Sequence, residues 1–350
     1  MENESEEVRK IQFTGKSTYI VSLPKKWVYE LGLRKGSQVV ISKRNNSLIL
    51  TPKELVKPSI PSFEATIVIS GADDPDAVVR KIISLYLRGY NFIVVRSRDE
   101  RISSLQRTAV KELVRKKLVG TEIISETLNE IRLQSLLNYP ELSVENALRR
   151  MCVITASMRE DAVQALKNLD KELAREVILL DDEVDRFSFY VIRQLKAAVQ
   201  NEKILKDMGL SSPQDCLGYR VIVKFVERIA DHAAKIAEHV LELEEKPSES
   251  VFQKIYEINV LARSVFDDVI KSLFKRDYVL ADRVISRARA VRFLEGEAVR
   301  EIQTKTKQTD IPAMRMVVES IRRMVEYASD IAEIVLNMNI EQVIRYQQKT

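Results

Sequence analysis

Pairs of acidic side chains four residues apart stand out in the second half of the sequence. Asp181 and Asp185 form one pair, Glu227 and Asp231 form another, and Glu238 follows the second pair. Residues four apart in an α-helix lie on one face, so two such pairs on neighbouring helices would bring four carboxylates together. Oxygen-rich clusters of this kind suit divalent metal ions. Two ordinary solvated helix faces would show the same spacing, and the spacing alone leaves both interpretations open.

The two histidines of the chain fall on the same predicted helix as the second acidic pair. His232 and His239 are seven residues apart, between the apolar and the acidic face. A neutral imidazole beside Asp231 would suit a transition metal, but we expect packed or solvated histidines rather than ligands. No Ser/His/Asp or Cys/His set at a meaningful spacing supports nucleophilic catalysis. The chain is predicted not to be an enzyme, and a carboxylate–metal hydrolase on the four acidic residues is the enzymatic alternative.

Helical periodicity surrounds both acidic pairs from about residue 143 onward. Gly and Pro number only 9 each in 350 residues, so few positions interrupt long helices. Residues 157–161 are similar to 264–268 at an offset of 107, and residues 227–231 are similar to 326–330 at an offset of 99. A helical repeat of this length predicts two tandem three-helix bundles.

The segment before the helical repeat has a mixed pattern. It contains no glycine-rich phosphate-binding loop, and we expect a spacer or a dimerisation domain. The predicted elements are strands at 65–69 and 91–96, helices at 76–87 and from Ser103 or Ser104 to 118, and a strand or hairpin at 121–133.

Positive charge is concentrated at the N-terminus. Residues 1–58 carry 11 Lys and Arg against 6 Glu, and the net charge of the whole chain is +5, so the remainder is balanced. Segregated positive charge on a small module suggests a polyanion such as DNA, and a lysine-blunted sheet edge is the alternative. The module is predicted to form two strand pairs around a short helix at 25–31. So short a segment can bury too little apolar surface to form a stable core of its own, and we therefore predict an obligate dimer.

The stretch RKIQFTGKSTYIVSLPKKWVYELGLRKGSQVVISKRNNSLILTP, residues 9–52, resembles the AbrB/SpoVT swapped-hairpin DNA-binding domain. The resemblance implies two chains that interleave their hairpins into one small barrel and present basic side chains to DNA. The DNA-binding candidates that it implies are Arg9, Lys10 and Lys16 on the first hairpin, and Arg34 and Lys35 beside a turn. Among the first three, only Arg9 is well suited to reading a base.

The segments LLDDEVDRF, FVERIADHAAKIAEHVLEL and MVEYASDIAEIVL resemble the PhoU family of phosphate-response regulators, over about residues 145–340. The resemblance implies a six-helix tandem bundle in which E/DxxxD motifs hold surface metal clusters. Iron, zinc and manganese are the candidate metals. The metal ligands that it implies are Asp181, Asp185, Glu227, Asp231, Glu326 and Asp330.

The second repeat departs from this motif. At the offset of 107 residues, Asp181 and Asp185 correspond to Ala288 and Arg292. Glu295 could replace them only after a shift of about two helical turns, as could its neighbour Glu297. The first bundle is therefore predicted to bind metal more tightly than the second.

Together these patterns predict a multidomain protein with a small β-rich swapped-hairpin head, an α+β middle segment and PhoU-like all-α tandem three-helix bundles. The predicted domains are 1–57, 58–140 and 141–350, the last with repeats at about 143–245 and 250–340. With no apolar run of the roughly 18 to 20 residues of a membrane span, no signal-peptide pattern and two cysteines outside any CxxC motif, we expect a cytoplasmic protein.

The function predicted is a dimeric DNA-binding transcriptional regulator of phosphate uptake, with a metal-binding sensor body. Its expected partners are DNA, a second copy of the chain through the head, and phosphate transporter or signalling components. The alternative is an adaptor that regulates such a transporter or signalling protein by protein contacts, without binding DNA.

Overall fold

The structure is a computed structural model that describes residues 6–15, 17–44, 47–53, 64–136, 143–210 and 212–344. The chain divides into two compact units, Met1–Ser62 and Phe63–Thr350. The first unit is the head. The second contains both the middle segment and the helical body, because these two regions pack against each other.

The head consists of two antiparallel strand pairs and one short helix. The first pair joins β1 (Gln12–Thr14) to β2 (Thr18–Ile20), and Gly15 after β1 has a left-handed φ of 64°. Helix α1 (Lys25–Glu30) follows Pro24, whose missing amide is harmless at a helix start. The second pair joins β3 (Val39–Arg44) to β4 (Ser47–Pro52).

The described part of the head leaves its apolar side chains on the surface. Phe13 and Tyr19 contact each other across the first strand pair but remain 59% and 72% exposed. Ile41 and Leu48 on the second pair are 61% and 67% exposed. No residue of α1 is buried. The described part of the head therefore exposes apolar side chains that a stable domain would bury in a core.

The middle segment is a four-stranded sheet with two helices. Strand β5 (Glu64–Ile69) pairs in parallel with β6 (Phe92–Ser97), and β8 (Glu130–Ser135) pairs antiparallel with both β6 and β7 (Thr121–Glu126). The connecting helices are α2 (Pro75–Arg88) and α3 (Ser104–Lys117). The predicted α+β class of this segment is confirmed.

Capping residues explain where α2 begins and ends and where α3 begins. The Asp74 carboxylate accepts a hydrogen bond from the Ala77 amide, and Gly89 ends α2 with a φ of 102°. Ser103 and Gln106 form a reciprocal capping box at the start of α3. The core lies between these helices and the sheet, where Ile82 and Val95 are fully buried.

The helical body contains the two three-helix bundles that the repeat predicts. Bundle one is formed by α4 (Val144–Asn168), α5 (Lys171–Gln200) and α7 (Pro213–Glu242), with the short α6 (Glu202–Asp207) between the last two. Bundle two is formed by α8 (Glu249–Lys275), α9 (Tyr278–Ala288) with α10 (Val291–Lys305), and α11 (Ile311–Asn339), which a short 3-10 helix (Ile340–Gln342) follows. One apolar core runs through both bundles, and α7 packs on α11.

One buried arginine fastens the middle segment to the body. The Arg193 guanidinium on α5 donates hydrogen bonds to the carbonyls of Tyr86, Gly89 and Tyr90, with distances of 3.3 Å to Gly89 and 3.0 Å to Tyr90. These carbonyls lie at the C-terminus of α2, where a helix leaves acceptors unpaired and its dipole favours a cation. The guanidinium also stacks on the Tyr86 ring, 4.7 Å from its centroid.

Candidate functional site

The two predicted acidic pairs of bundle one face each other across α5 and α7. Burial, and then the nearby charges of Asp185, Asp231 and Glu227, raise the pKa of Asp181 to about 7 although Lys117 opposes the shift. Burial likewise raises the pKa of Glu227 and of Asp231, and Asp185 adds to both shifts. The four carboxylates are therefore close enough for their charges to repel one another, and we call this group the acidic cluster.

A lysine of the middle segment enters the acidic cluster. Lys117, the last residue of α3, places its Nζ 2.8 Å from Asp185 Oδ2 and 3.0 Å from Asp182 Oδ1. Burial opposes its charge, but the hydrogen bonds and charges of Asp185 and Asp182 together outweigh burial, and the pKa of Lys117 is raised. Lys117 is 65 or more residues from these acids in sequence. The only local signal is the basic last turn of α3, which helix capping by itself explains.

The carboxylate oxygens of the acidic cluster are chemically suitable ligands for a metal ion. Carboxylate oxygens are the preferred ligands of hard divalent cations, and Asp181 Oδ1 is buried without a hydrogen-bond partner. The arrangement, however, is that of carboxylates around an ammonium group. Among the residues that the structure describes, no three Asp, Glu, His or Cys side chains converge as metal ligands do. A metal at this position would have to displace Lys117.

The acidic residues of bundle two are already engaged by arginines. The Glu326 carboxylate on α11 accepts hydrogen bonds from Arg322 and from Arg323, the latter at 2.9 Å. Glu295 on α10 pairs with Arg322 at 3.0 Å. Asp330 is the exception: burial first, and then Glu333 and Glu326, raise its pKa.

The two histidines occupy different surroundings. His232 is partly buried beside Tyr327, with ring centroids 5.8 Å apart, and its Nδ1 has no partner within the described chain. Burial, together with Lys235 and Arg323, lowers the pKa of His232 to about 4. His239 is more accessible, and its Nδ1 lies 3.0 Å from Glu242 Oε2. Neither side chain joins the acidic cluster as a ligand in this arrangement.

Four of the basic candidates of the head, Arg9, Lys10, Arg34 and Lys35, are exposed. Arg9 and Lys10 lie just before β1, and Arg9 forms an ion pair with Glu7. The amide of Arg34 donates a 2.9 Å hydrogen bond to Ser37 Oγ, which places Arg34 and Lys35 at a tight turn. Lys16, the remaining DNA-binding candidate, lies outside the described residues.

The fold and these sites define a tandem three-helix-bundle protein with a carboxylate cluster between two helices and a small β-rich head. Residues 148–240 and 255–335 match the PhoU domain, one match for each bundle. Residues 12–57 match the antidote-toxin recognition domain MazE of bacterial antitoxins. The chain is therefore a PhoU-like protein with a MazE/AbrB-like N-terminal domain.

Parts of the chain are similar to known proteins. Over 160 residues it is 26% identical to the "phosphate-specific transport system accessory protein PhoU homolog" of Aquifex aeolicus, covering 44% of this chain and 68% of that protein. The crystal structure of PhoU from Pseudomonas aeruginosa superposes with a TM-score of 0.51 at 20% identity, over 57% of this chain and 96% of that one. That of the phosphate transport system regulatory protein PhoU from Streptococcus pneumoniae gives 0.49 at 17% identity, over 58% and 96%.

Among the described residues, no helix combines the length and the apolar character that crossing a membrane requires.

Proposed function

We propose that this protein is a non-enzymatic, DNA-binding transcriptional regulator of phosphate homeostasis. The observation that carries the proposal is the joining, in one chain, of a PhoU-like body and a MazE/AbrB-like head. A PhoU-like body supports a role in the phosphate response, in line with the transport-system name of the Aquifex aeolicus relative. The head supplies a means of acting on genes.

The head has the two properties that a dimeric DNA-binding module needs. It holds the whole positive excess of the chain, which favours association with a polyanion. Its exposed apolar side chains support pairing with the head of a second copy. We propose that Arg9, Lys10 and Lys16 contact DNA, with Arg34 and Lys35 in supporting positions.

The experiment is to crosslink the full-length protein to DNA in cells and to sequence the DNA that co-purifies. We expect enrichment of a few sites near phosphate-uptake genes. Replacing Arg9, Lys10 and Lys16 with Ala should remove the enrichment. When binding of the purified protein to DNA is measured at several salt concentrations, the logarithm of the association constant should fall less steeply with the logarithm of the salt concentration, by about 0.9 in slope for each lost phosphate contact.

A charge-matched control is the triple replacement of Lys246, Lys271 and Lys275 with Ala, because these exposed lysines lie on the body. It should bind DNA as the wild type does. Equal binding by both triple variants would reject the head as the DNA-binding surface. It would favour the adaptor function, in which the protein acts on a transporter or signalling partner by protein contacts alone.

We further propose that the body binds a metal ion through Asp181, Asp185, Glu227 and Asp231. The spare buried oxygen of Asp181 and the mutual repulsion of these carboxylates support a cation there. A bound metal would supply positive charge in place of the Lys117 ammonium. Metal loading and the position of α3 would then be coupled. Glu326 is occupied by two arginines, so we place the main metal site in bundle one.

A further inference from the structure

A pocket of about 480 Å³ opens between α7, α10 and α11. We call it the arginine pocket, because Arg228 of α7, Arg292 of α10 and Arg323 of α11 all line it, beside Tyr327 and Asp330. It lies at the second-repeat counterpart of the acidic cluster. At this point of the repeat the charge is inverted, since Arg292 takes the position that Asp185 has in bundle one.

Two of the three guanidinium groups have no acceptor within the part of the chain that the structure describes. Arg228 lies over the ring of Tyr327, 5.5 Å from its centroid, and neither Arg228 nor Arg292 has an ion pair or hydrogen bond there. Arg323 is committed, since it donates to Glu326 at 2.9 Å and to the Tyr327 hydroxyl at 2.8 Å. Two guanidinium groups therefore remain available to a ligand.

The carboxylates of the pocket do not cancel this charge. Glu326 already accepts hydrogen bonds from Arg322 and Arg323. Asp330 lines the pocket and accepts no hydrogen bond from the described chain. The pocket thus offers two forked donors and one acceptor to whatever binds in it.

This combination fits an oxyanion that still carries a proton. Guanidinium groups bind oxyanions through paired, charge-assisted hydrogen bonds, whereas an ionised carboxylate can only accept one. Inorganic phosphate at neutral pH has a P–OH that can donate to such a carboxylate. A sulfate ion has no proton to give, so a carboxylate in the pocket would repel it.

We propose that the arginine pocket binds inorganic phosphate, with Arg228 and Arg292 donating to its oxygens and Asp330 accepting a hydrogen bond from its P–OH. The ligand is inorganic phosphate, because a phosphate monoester has a second pKa of about 6 and has mostly lost its P–OH at neutral pH. The proposal names the ligand sensed by the proposed regulator, and its biological meaning rests on that function. Its test involves no DNA, so the two can fail separately.

The experiment is isothermal titration calorimetry on the full-length protein in chloride buffer at pH 7.5. Inorganic phosphate, glycerol 3-phosphate and sulfate are titrated separately. We expect inorganic phosphate to bind more tightly than sulfate or glycerol 3-phosphate, because sulfate has no proton to donate at this pH and the monoester has mostly lost its own. The double variant R228Q/R292Q should lose about tenfold or more in phosphate affinity, because two charge-assisted donors are removed.

Two further variants make the proposal specific. Arg300→Gln removes an exposed arginine of α10 outside the pocket and should leave phosphate affinity unchanged. Asp330→Asn should allow sulfate to bind about as well as phosphate, because the amide can donate where the carboxylate could only accept. Equal phosphate and sulfate affinity in the wild type would overturn the proposal. So would an R228Q/R292Q variant that keeps its helical circular dichroism and binds phosphate like the wild type.

Discussion

Lys117 is the cation that the middle segment brings to the acidic cluster, whereas Lys224, which contacts Glu227, lies on α7 itself. The Lys117 ammonium neutralises Asp185 and Asp182 at 2.8 and 3.0 Å, and a metal would compete for the same oxygens. In chelator-treated full-length protein, Lys117→Met should therefore tighten Mn²⁺ binding by about tenfold, or 1.4 kcal/mol, measured by calorimetry. Lys116→Met is the matched control, because the Lys116 Nζ lies farther away, 3.8 Å from Asp182.

The choice of bundle is checked by two double variants. Replacing Asp181 and Asp231 with Ala should abolish most of the stoichiometric metal found by elemental analysis after loading with iron, zinc or manganese. Replacing Glu326 and Asp330 with Ala should remove much less. Equal losses would show that both bundles contribute equally, and a wild type without bound metal would make the acidic cluster a docking site for Lys117 alone.

His232 leads to a prediction about how the stability of the folded chain depends on pH. Its pKa is about 4 in the folded chain against an ordinary value of 6.5, so the unfolded chain binds its proton first as the pH falls. The stability that the neutral imidazole contributes is present above pH 6.5 and is lost between pH 6.5 and 4. Lys235, Arg323 and Arg228 oppose the imidazolium, and Glu319 favours it.

The measurement is the melting temperature at pH 7.5 and at pH 5 by circular dichroism. The fall on acidification should be smaller for His232→Gln than for the wild type. His239→Gln should keep the full fall, because His239 lies beside Glu242 at an accessible position. If the melting temperatures of the two variants fall by the same amount between pH 7.5 and pH 5, His232 is not a source of the acid sensitivity.

At the scale of elements, helix bounds were predictable where capping and periodicity agree. The helix predicted at 76–87 is α2, and Asp74 caps it. Helix α7 begins at Pro213, because Ser212 and Asp215 form a capping box there that the apolar face alone does not reveal. The break between α9 and α10 falls at Arg289 and Ala290, where good helix formers give no warning.

The site was predictable only as far as single helices carry its signal. Spacing within α5 and within α7 identified the four acids of the acidic cluster. The entry of Lys117 depends on how α3 packs against α5, which no local pattern encodes. The arginine pocket likewise joins three helices, and only the change from Asp185 to Arg292 between repeats pointed towards it.

The contact between α2 and α5 depends on Arg193. Replacing Arg193 with Met keeps much of the packing but removes three hydrogen bonds to carbonyls at the C-terminus of α2 and just after it, which should lower the free energy of unfolding by about 3 kcal/mol. Hydrogen exchange measured by mass spectrometry should show faster exchange in α2 and unchanged exchange in α11. Arg175→Met, an exposed position on the same helix, should change neither. Uniform faster exchange across the whole chain would show that Arg193 supports the body rather than the contact with the middle segment.

At the scale of the whole molecule, we expect the head to determine the oligomeric state. Its apolar side chains are exposed on both strand pairs, and burying them against a second copy is the simplest way to stabilise so small a module. Full-length protein should therefore sediment as a dimer at micromolar concentration. Replacing Tyr19 and Ile41 with Asp, one on each strand pair, should yield a monomer whose helical circular dichroism is nearly unchanged, and this monomer should bind DNA more weakly.

The control for this prediction is a double replacement of equally exposed apolar residues on the body, Leu179→Asp with Phe293→Asp, which are 66% and 67% exposed. It adds the same negative charge and should remain a dimer, because neither residue belongs to the head. A fragment of residues 1–58 should also dimerise when expressed alone. A wild-type monomer, or dimers that persist in the Tyr19 and Ile41 variant, would show that the head does not pair. In that case the exposed apolar surface of the head would have to meet a different protein.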